Sequence, residues 1–209
     1  IQVVAEILRV GYSLGVTGSH GKTSTTSMLA SIFIAARTDP TVLLGAELSL
    51  IGGSAKVGAG SYRIAEVDES DPLFRFLELD VAVVTNLEAD HVSPDGQARP
   101  NYHASFEALL DAVRSYAGRA KHVIYNGEPR WNLLDELTQG RPRSSFGLLV
   151  GDCRAANIVL KPFGSRFELV WQGQRLGRVH LQVPGEHNIS NALAASAVAL
   201  DAGFHFEAI

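Results

Sequence analysis

The chain has 209 residues, of which 46% are hydrophobic and 19% are charged, and its formal net charge is −4. This is enough apolar material for a sizeable core in one domain, and the weak, mixed charge argues against a nucleic-acid coat or a polybasic membrane anchor. The single cysteine excludes an intramolecular disulfide and no apolar run approaches the ~20 residues of a membrane span, so we expect a cytoplasmic protein.

The first part of the chain alternates between patterns typical of strands and patterns typical of helices. SLGVTG (13–18) predicts a strand that runs into a glycine turn, and TVLLGAEL and SYRIAEVDESD each give an apolar run that ends in polar residues. Helices are predicted over 1–10, 22–36 and 101–117, and further strands over 80–91 and 121–127. We therefore expect the α/β class, with a mostly parallel open sheet that carries a phosphate loop and is flanked by helices on both faces.

The pattern changes after about residue 143. Apolar and polar residues then alternate between glycines, which predicts a small antiparallel β portion at about 144–184, and a helix is predicted over 188–203. Residues 93–101 predict an exposed loop. The chain has no initiator methionine and both ends read as interrupted helices, so we expect residues 1–209 to be one domain of a longer chain.

The segment TGSHGKTSTT (17–26) follows a predicted strand and opens a predicted helix, which is where phosphate-binding loops are found. It lacks the first glycine of the common G-x-x-x-x-G-K-[ST] pattern. Gly18 and Gly21 nevertheless allow a tight backbone. Lys22 supplies a positive charge for phosphates, and Thr23 supplies a hydroxyl for magnesium. We therefore predict that this loop binds a nucleotide.

The segment AEVDESD (65–71) places four carboxylates directly after an apolar strand. In open α/β sheets, ligands collect beyond the carboxyl ends of the strands, and oxygen ligands suit Mg²⁺. Glu66 comes first after the strand and is the best placed to point at a nucleotide-bound magnesium ion. The alternative interpretation is a solvated acidic loop or a helix N-cap.

Two further segments combine histidine with amide or carboxylate groups. TNLEADH (85–91) follows another buried strand, so His91 is a candidate metal ligand or polariser of a transferring phosphate, although a lone histidine is more often structural. Asn86 and Asp90 have weaker claims to the same site. PGEHNISN (184–191) predicts either a turn with an asparagine N-cap or a site at which imidazole and amide groups recognise adenine.

Together the four segments resemble the ATP-dependent Mur ligases of bacterial cell-wall synthesis. The phosphate loop of that family also lacks the early glycine, and GSHGKTSTT, AEVDESD, VTNLEADH and PGEHNISNALAA occur in the family's order. The resemblance covers essentially the whole chain as the family's central ATPase domain. DESD and NLEADH are most similar to the branch that joins L-alanine to UDP-N-acetylmuramate. The chain departs from that branch at Ser19, Ser24, Val67 and Leu87, which remove no charged group, and its 92–105 loop looks longer.

The resemblance implies roles for particular residues. Magnesium would be held by Thr23 and Glu66, and a second magnesium by Glu66 and His91; Lys22, Glu66 and His91 would be the catalytic set. The ATP phosphates would lie against Gly18, Ser19, His20, Gly21, Lys22, Thr23 and Ser24; the adenine near His187, Asn188 and Asn191; and the muramoyl substrate near Asn86, Glu69, Ser70 and Asp71.

The resemblance also implies an activity. ATP and Mg²⁺ would drive ligation of L-alanine to UDP-N-acetylmuramate through an acyl phosphate, in peptidoglycan synthesis and hence in cell-wall biogenesis, cell shape and division. The N-terminal UDP-binding domain and the C-terminal domain of the family are not within these residues, so we expect the fragment alone to be inactive. Alternatives are a ligase that attaches a recycled murein tripeptide, a folylpolyglutamate-type ligase, or a nucleotide-binding module without ligase activity.

Overall fold

Ten strands form one continuous sheet in the computed structural model, which describes residues 1–97 and 99–209. The strand order across the sheet is β10-β9-β8-β7-β6-β5-β1-β4-β2-β3. The strands are β1 (Tyr12–Thr17), β2 (Thr41–Leu48), β3 (Gly53–Lys56), β4 (Tyr62–Glu66), β5 (Val81–Val84), β6 (His122–Asn126), β7 (Arg143–Gly147), β8 (Cys153–Lys161), β9 (Gly164–Trp171) and β10 (Gln174–Leu181).

Most of this sheet is parallel, which confirms the expected fold class. The strands from β2 to β8 across the centre of the sheet pair in parallel, whereas β3 pairs antiparallel at one edge and β8, β9 and β10 pair antiparallel at the other. β7 falls inside the span predicted to be antiparallel (about 144–184) but is parallel to both neighbours. The antiparallel strands therefore extend the main sheet instead of forming a separate one.

Helices cover both faces of the sheet. The helices are α1 (Gln2–Leu8), α2 (Lys22–Ala35), α3 (Phe106–Arg119), α4 (Asn132–Leu137) and α5 (Glu186–Asp201). α2 and α5 share one buried cluster with Val81 and Val83 of β5, while α1, α3 and α4 share another with Ala82 and Val84. Successive strand residues point to opposite faces, so β5 is apolar throughout because both of its faces are covered.

Two predicted elements are shorter than the sequence suggested. The helix predicted over 101–117 begins at Phe106, because the Ser105 side chain accepts a hydrogen bond from the Ala108 N–H and caps it there. The strand predicted over 80–91 ends at Val84, after which the chain turns towards the loop that follows β1. Ala98, inside the predicted 93–101 loop, lies outside the described residues.

The connections bring several loops together at the carboxyl ends of the central strands. From β1 the chain crosses through α2 to β2 on one side, whereas from β5 it continues to β6 and β7 on the other. The loops after β1, β4 and β5 therefore meet at the carboxyl ends of three adjacent parallel strands, where ligands bind in such sheets. Within the described residues, no helix has the length and hydropathy that a bilayer crossing needs.

Candidate active site

The loop between β1 and α2 has a backbone that only glycine fits at two positions. Gly18 has a φ of 132° and Gly21 a φ of 80°, both in the left-handed region. A Cβ at Gly18 would lie 2.2 Å from Thr85 Oγ1, and a Cβ at Gly21 would lie 2.4 Å from Asn191 Oδ1. The loop is therefore pressed against the segment after β5 on one side and against α5 on the other.

The segment after β5 holds this loop in place through side-chain hydrogen bonds. The Asn86 amide accepts from the His20 N–H and donates to the His20 carbonyl, both at 2.8 Å. Thr85 Oγ1 also donates to that carbonyl at 2.7 Å, and Ser19 Oγ accepts from the Glu88 N–H at 2.9 Å. The loop conformation is thus fixed by protein contacts before any ligand arrives.

Lys22, the first residue of α2, is paired with a buried carboxylate. Its Nζ donates to the Gly18 carbonyl at 2.8 Å and to Glu69 Oε1 at 3.1 Å. Glu69 Oε2 lies 2.9 Å from the same nitrogen but outside hydrogen-bond geometry, and it has no other partner among the described residues. The Glu69 side chain is 1% exposed and that of Lys22 is 16% exposed. An anionic ligand at this loop must therefore compete with Glu69 for the lysine.

Two oxygen-bearing side chains meet next to Lys22. Thr23 Oγ1 donates to Glu66 Oε1 at 3.0 Å, and Glu66 Oε2 accepts from the Gly45 N–H at 2.8 Å. Mg²⁺ is usually held by one or two protein oxygens together with substrate phosphates and water, so this pair beside a phosphate loop fits the ion.

His91, the expected ligand of a second magnesium, lies in the segment after β5, where its ring is near Asp90 and Tyr102. Its backbone has a left-handed φ of 53°, its ring is 38% exposed, and its Nε2 lies 3.9 Å from Asp90 Oδ2. The Asp90 side chain also accepts a hydrogen bond from the His91 N–H. His91 therefore lies near the carboxyl ends of the central strands, as expected, and is half-buried beside the Asp90 carboxylate.

The acidic segment after β4 divides into residues with different surroundings. Glu69 faces Lys22, Ser70 is buried, and Asp71 accepts from the Leu73 N–H and caps the short 3-10 helix Pro72–Phe76. The alternative interpretation of this segment as a helix cap is therefore correct for Asp71. Asn86, expected on the substrate side, directs its amide to the His20 backbone.

The residues expected near adenine surround the start of α5. Asn191 is buried against Gly21, Asn188 Nδ2 donates to the Pro184 carbonyl at 2.7 Å, and His187 is exposed with its ring beside Gly185. A cavity of about 580 Å³ opens here between α2, α5 and β10. Its lining includes Thr23, Ser24, Ser27, Met28, Val183 and Asn188. The cavity adjoins the phosphate loop and is wide enough for a heterocyclic base.

The N-terminus of α2 adds a further attraction for anions. Gly21 is the N-cap residue and offers no side-chain oxygen, and no side-chain cap is present among the described residues. The free N–H groups and the helix dipole therefore favour a negatively charged group at this point. Together with Lys22, they make the loop suited to a polyphosphate.

Three residues of this region escaped the sequence analysis: Gly45, which donates to Glu66; Thr85, which donates to the phosphate loop; and His103, which contacts Glu69. Gly45 acts through its backbone, which no residue pattern marks. Thr85 opens the TNLEADH segment and could have been singled out with Asn86. His103 carried no local signal because its partner lies 34 residues away.

Comparisons with known proteins agree with this geometry. The family model described as Mur ligase middle domain matches residues 16–199. A UDP-N-acetylmuramate–L-alanine ligase from Geobacter sp. (strain M21) is 37% identical over 216 residues, which cover 100% of this chain and 44% of that protein. The chain therefore spans less than half the length of this curated relative.

Solved structures give the same family. The UDP-N-acetylmuramate-alanine ligase MurC from Thermotoga maritima matches with a TM-score of 0.84 at 25% identity, over 99% of this chain and 45% of that chain. The UDP-N-acetylmuramate:L-alanyl-γ-D-glutamyl-meso-diaminopimelate ligase from Neisseria meningitides matches with a TM-score of 0.79 at 28% identity, over 97% and 65%.

Proposed function

The chain belongs to the Mur ligase family as its middle domain, and we propose that it is the ATP-binding part of a longer ligase that joins L-alanine to UDP-N-acetylmuramate. One observation carries the proposal. A preformed phosphate loop with Lys22 and the Thr23–Glu66 oxygen pair lies in a chain that is 37% identical to a ligase of that name.

The chemistry that such a ligase needs explains these groups. A carboxylate is a poor acylating agent, and transfer of the γ-phosphoryl group of ATP to it gives an acyl phosphate that an amine can attack. Both reactants are anions, so the site must supply positive charge and aligned N–H groups. Lys22 and the N-terminus of α2 would hold the phosphates, and the Gly18–Gly21 loop would enclose them.

Magnesium would be held by Thr23 Oγ1 and Glu66, and when bound it would neutralise phosphate charge. We retain His91 as a proposed ligand, with Glu66, of a second magnesium, supported by the family resemblance. Asn188 and Ser24 line the cavity beside the loop, and we propose that the adenine enters there. Asn86 is proposed to act by holding the loop, because its amide is bonded to His20.

The proposal is tested by ADP release from the complete gene product with UDP-N-acetylmuramate, Mg²⁺ and one acceptor at a time. The acceptors are L-alanine, glycine, L-serine and the tripeptide L-Ala-γ-D-Glu-diaminopimelate. We expect turnover with L-alanine. Turnover with the tripeptide alone would assign the chain to the recycling function, for which the 28% identity to the Neisseria ligase is the supporting observation.

A matched pair of variants links the activity to the site. We expect Glu66→Gln to lower kcat by about 100-fold or more, because it removes the carboxylate charge beside Thr23. Glu78→Gln makes the same change just before β5, at the amino ends of the strands, where the side chain is 81% exposed. This variant should leave turnover intact. Nucleotide binding without ligation of any acceptor would leave only a nucleotide-binding module.

A further inference from the structure

His103 is a buried histidine in the segment between β5 and α3, and it contacts the residue that pairs with Lys22. His103 is only 4% exposed, and its Nε2 lies 2.7 Å from the backbone carbonyl of Glu69. A carbonyl oxygen only accepts hydrogen bonds, so Nε2 must be the donor and carry a proton. The ring therefore fixes the main chain of Glu69.

The backbone of the same residue fixes a second segment. The His103 N–H donates to the His91 carbonyl at 2.8 Å, and the His103 carbonyl accepts from the Ser93 N–H at 2.8 Å. The ring also packs edge-on against Phe74, with centroids 6.4 Å apart and planes at 89°. His103 thus joins the start of the 92–105 loop to the acidic segment that follows β4.

These two segments lie on opposite sides of the phosphate loop. The acidic segment follows β4 and the His91 segment follows β5, and β4 and β5 flank β1 in the sheet. His103 touches both segments. It therefore fixes the main chain of Glu69, whose carboxylate pairs with Lys22, and its own N–H holds the His91 carbonyl.

We propose that His103 is a positioning residue for the ligation reaction, holding the Glu69 and His91 segments in register across the phosphate loop. This inference rests on the proposed function, because it assigns the two segments to the reaction site. It differs from a packing role in one respect. Packing needs only a flat ring against Phe74, whereas positioning needs the N–H that Glu69 accepts.

Two substitutions separate these roles. His103→Phe keeps an aromatic ring against Phe74 and removes the donor. His103→Gln loses the ring but can place an amide N–H near the position of Nε2. His122→Phe serves as the control. His122 begins β6, at the amino ends of the strands and away from the phosphate loop, where it contacts Ser144 and Asp201.

The first readout is kinetic, on the complete gene product with UDP-N-acetylmuramate, L-alanine and Mg-ATP. For His103→Phe we expect kcat to fall at least tenfold while the KM for ATP changes less than threefold and nucleotide-binding stoichiometry stays at one. We expect His103→Gln to recover at least a third of kcat and His122→Phe to stay within twofold of wild type. Wild-type kcat in His103→Phe, or an equal loss in His103→Gln, would overturn the proposal.

The second readout does not depend on ligation. We expect hydrogen exchange of peptides covering 68–71 and 91–93 to accelerate at least tenfold in His103→Phe and to return within threefold of wild type in His103→Gln. Peptides of β5 serve as the internal reference. Unchanged exchange in His103→Phe would disprove positioning even if wild type ligates. Failure of the wild type to ligate any acceptor would instead reject the proposed function, and the exchange pattern would still decide the role of His103.

Discussion

Glu69 Oε2 lies 2.9 Å from Lys22 Nζ, although the two residues are 47 positions apart and belong to the segments that follow different strands. The lysine that opens α2 is therefore held by a protein carboxylate that is 1% exposed. A phosphate that binds this loop replaces that contact and brings its own negative charge close to Glu69. The carboxylate thus opposes nucleotide binding while it keeps the lysine in place.

We expect Glu69→Gln to tighten binding of Mg-nucleotide by about 3- to 10-fold, because it removes a negative charge next to the phosphates in a poorly solvated site. Isothermal titration with a non-hydrolysable ATP analogue measures the change. Glu78→Gln is the charge-matched control at an exposed position and should not alter the affinity. Weaker binding in Glu69→Gln would mean instead that the carboxylate is needed to orient Lys22.

Gly18→Ala is expected to lower the free energy of unfolding by about 2 kcal/mol or more and to abolish nucleotide binding, because its Cβ meets the protein and its φ is left-handed. The new Cβ would lie 2.2 Å from Thr85 Oγ1 and 2.8 Å from the Asn86 carbonyl. Urea unfolding followed by circular dichroism measures the loss.

Gly140→Ala is the matched control for this substitution. Gly140 has a φ of 82°, yet no heavy atom of the described residues lies within 4 Å of an added Cβ. It should show only the backbone cost of about 1–2 kcal/mol and leave nucleotide binding unchanged. An equal loss in both variants would attribute the whole effect to backbone strain and none to contact with the β5 segment.

Asp80 links the start of β5 to β1 and should make stability depend on pH. Burial acts to raise its pKa, but hydrogen bonds from Lys121 Nζ and from the Ser13 N–H and hydroxyl outweigh it and hold the pKa of Asp80 below its usual range. A lowered pKa in the folded state contributes stability above the unfolded value near pH 4, which is lost as the pH falls through the folded value.

We therefore expect Asp80→Asn to be less stable than wild type by about 1 kcal/mol at pH 7, with the difference narrowing at pH 3. Urea unfolding at both pH values measures this. Asp111→Asn changes an exposed carboxylate paired with Arg114 on α3 and should have little effect at either pH. A difference between Asp80→Asn and wild type that is constant with pH would contradict the assignment.

The Cys153 thiol should be unreactive towards alkylating reagents in the folded protein. The residue is fully buried in the core at the start of β8, and burial together with the nearby Asp152 charge raises the pKa of its thiol. Since the thiolate is the reactive form, we expect alkylation by iodoacetamide at pH 8 to be more than about 100-fold slower than in the urea-unfolded chain. Comparable labelling rates in the two states would show that β8 opens readily.

Much of the fold followed from local patterns. The apolar run of β5 predicted a strand covered on both faces, and Val81 to Val84 are buried against two different helix layers. The boundaries were less predictable because they depend on partners. The start of α3 depends on the Ser105 side chain as a cap, and β5 ends where Thr85 and Asn86 turn to bond the phosphate loop.

The site was predictable to the level of which segments meet, and less so for individual side chains. Lys22 and Thr23 were singled out because they belong to a short phosphate-loop motif, and Glu66 because it directly follows an apolar run. Glu69 and Asn86 were expected on the substrate side, and the structure directs them to Lys22 and His20. Such orientations depend on contacts between residues far apart in the chain.

The sequence by itself determined the class of sheet and the phosphate loop, because strand and helix periodicity and the Gly18, Gly21 and Lys22 spacing are local properties of the chain. The family followed from the resemblance of four segments taken together. The tertiary structure alone decided which groups face one another. Glu69 reaches Lys22 because β4 lies beside β1, and His103 joins two segments because the 92–105 loop brings it back to the segment that follows β4. Hydrogen bonds need donor and acceptor about 3 Å apart and the energy between two charges falls with their separation, so distance in space rather than in sequence sets these energies.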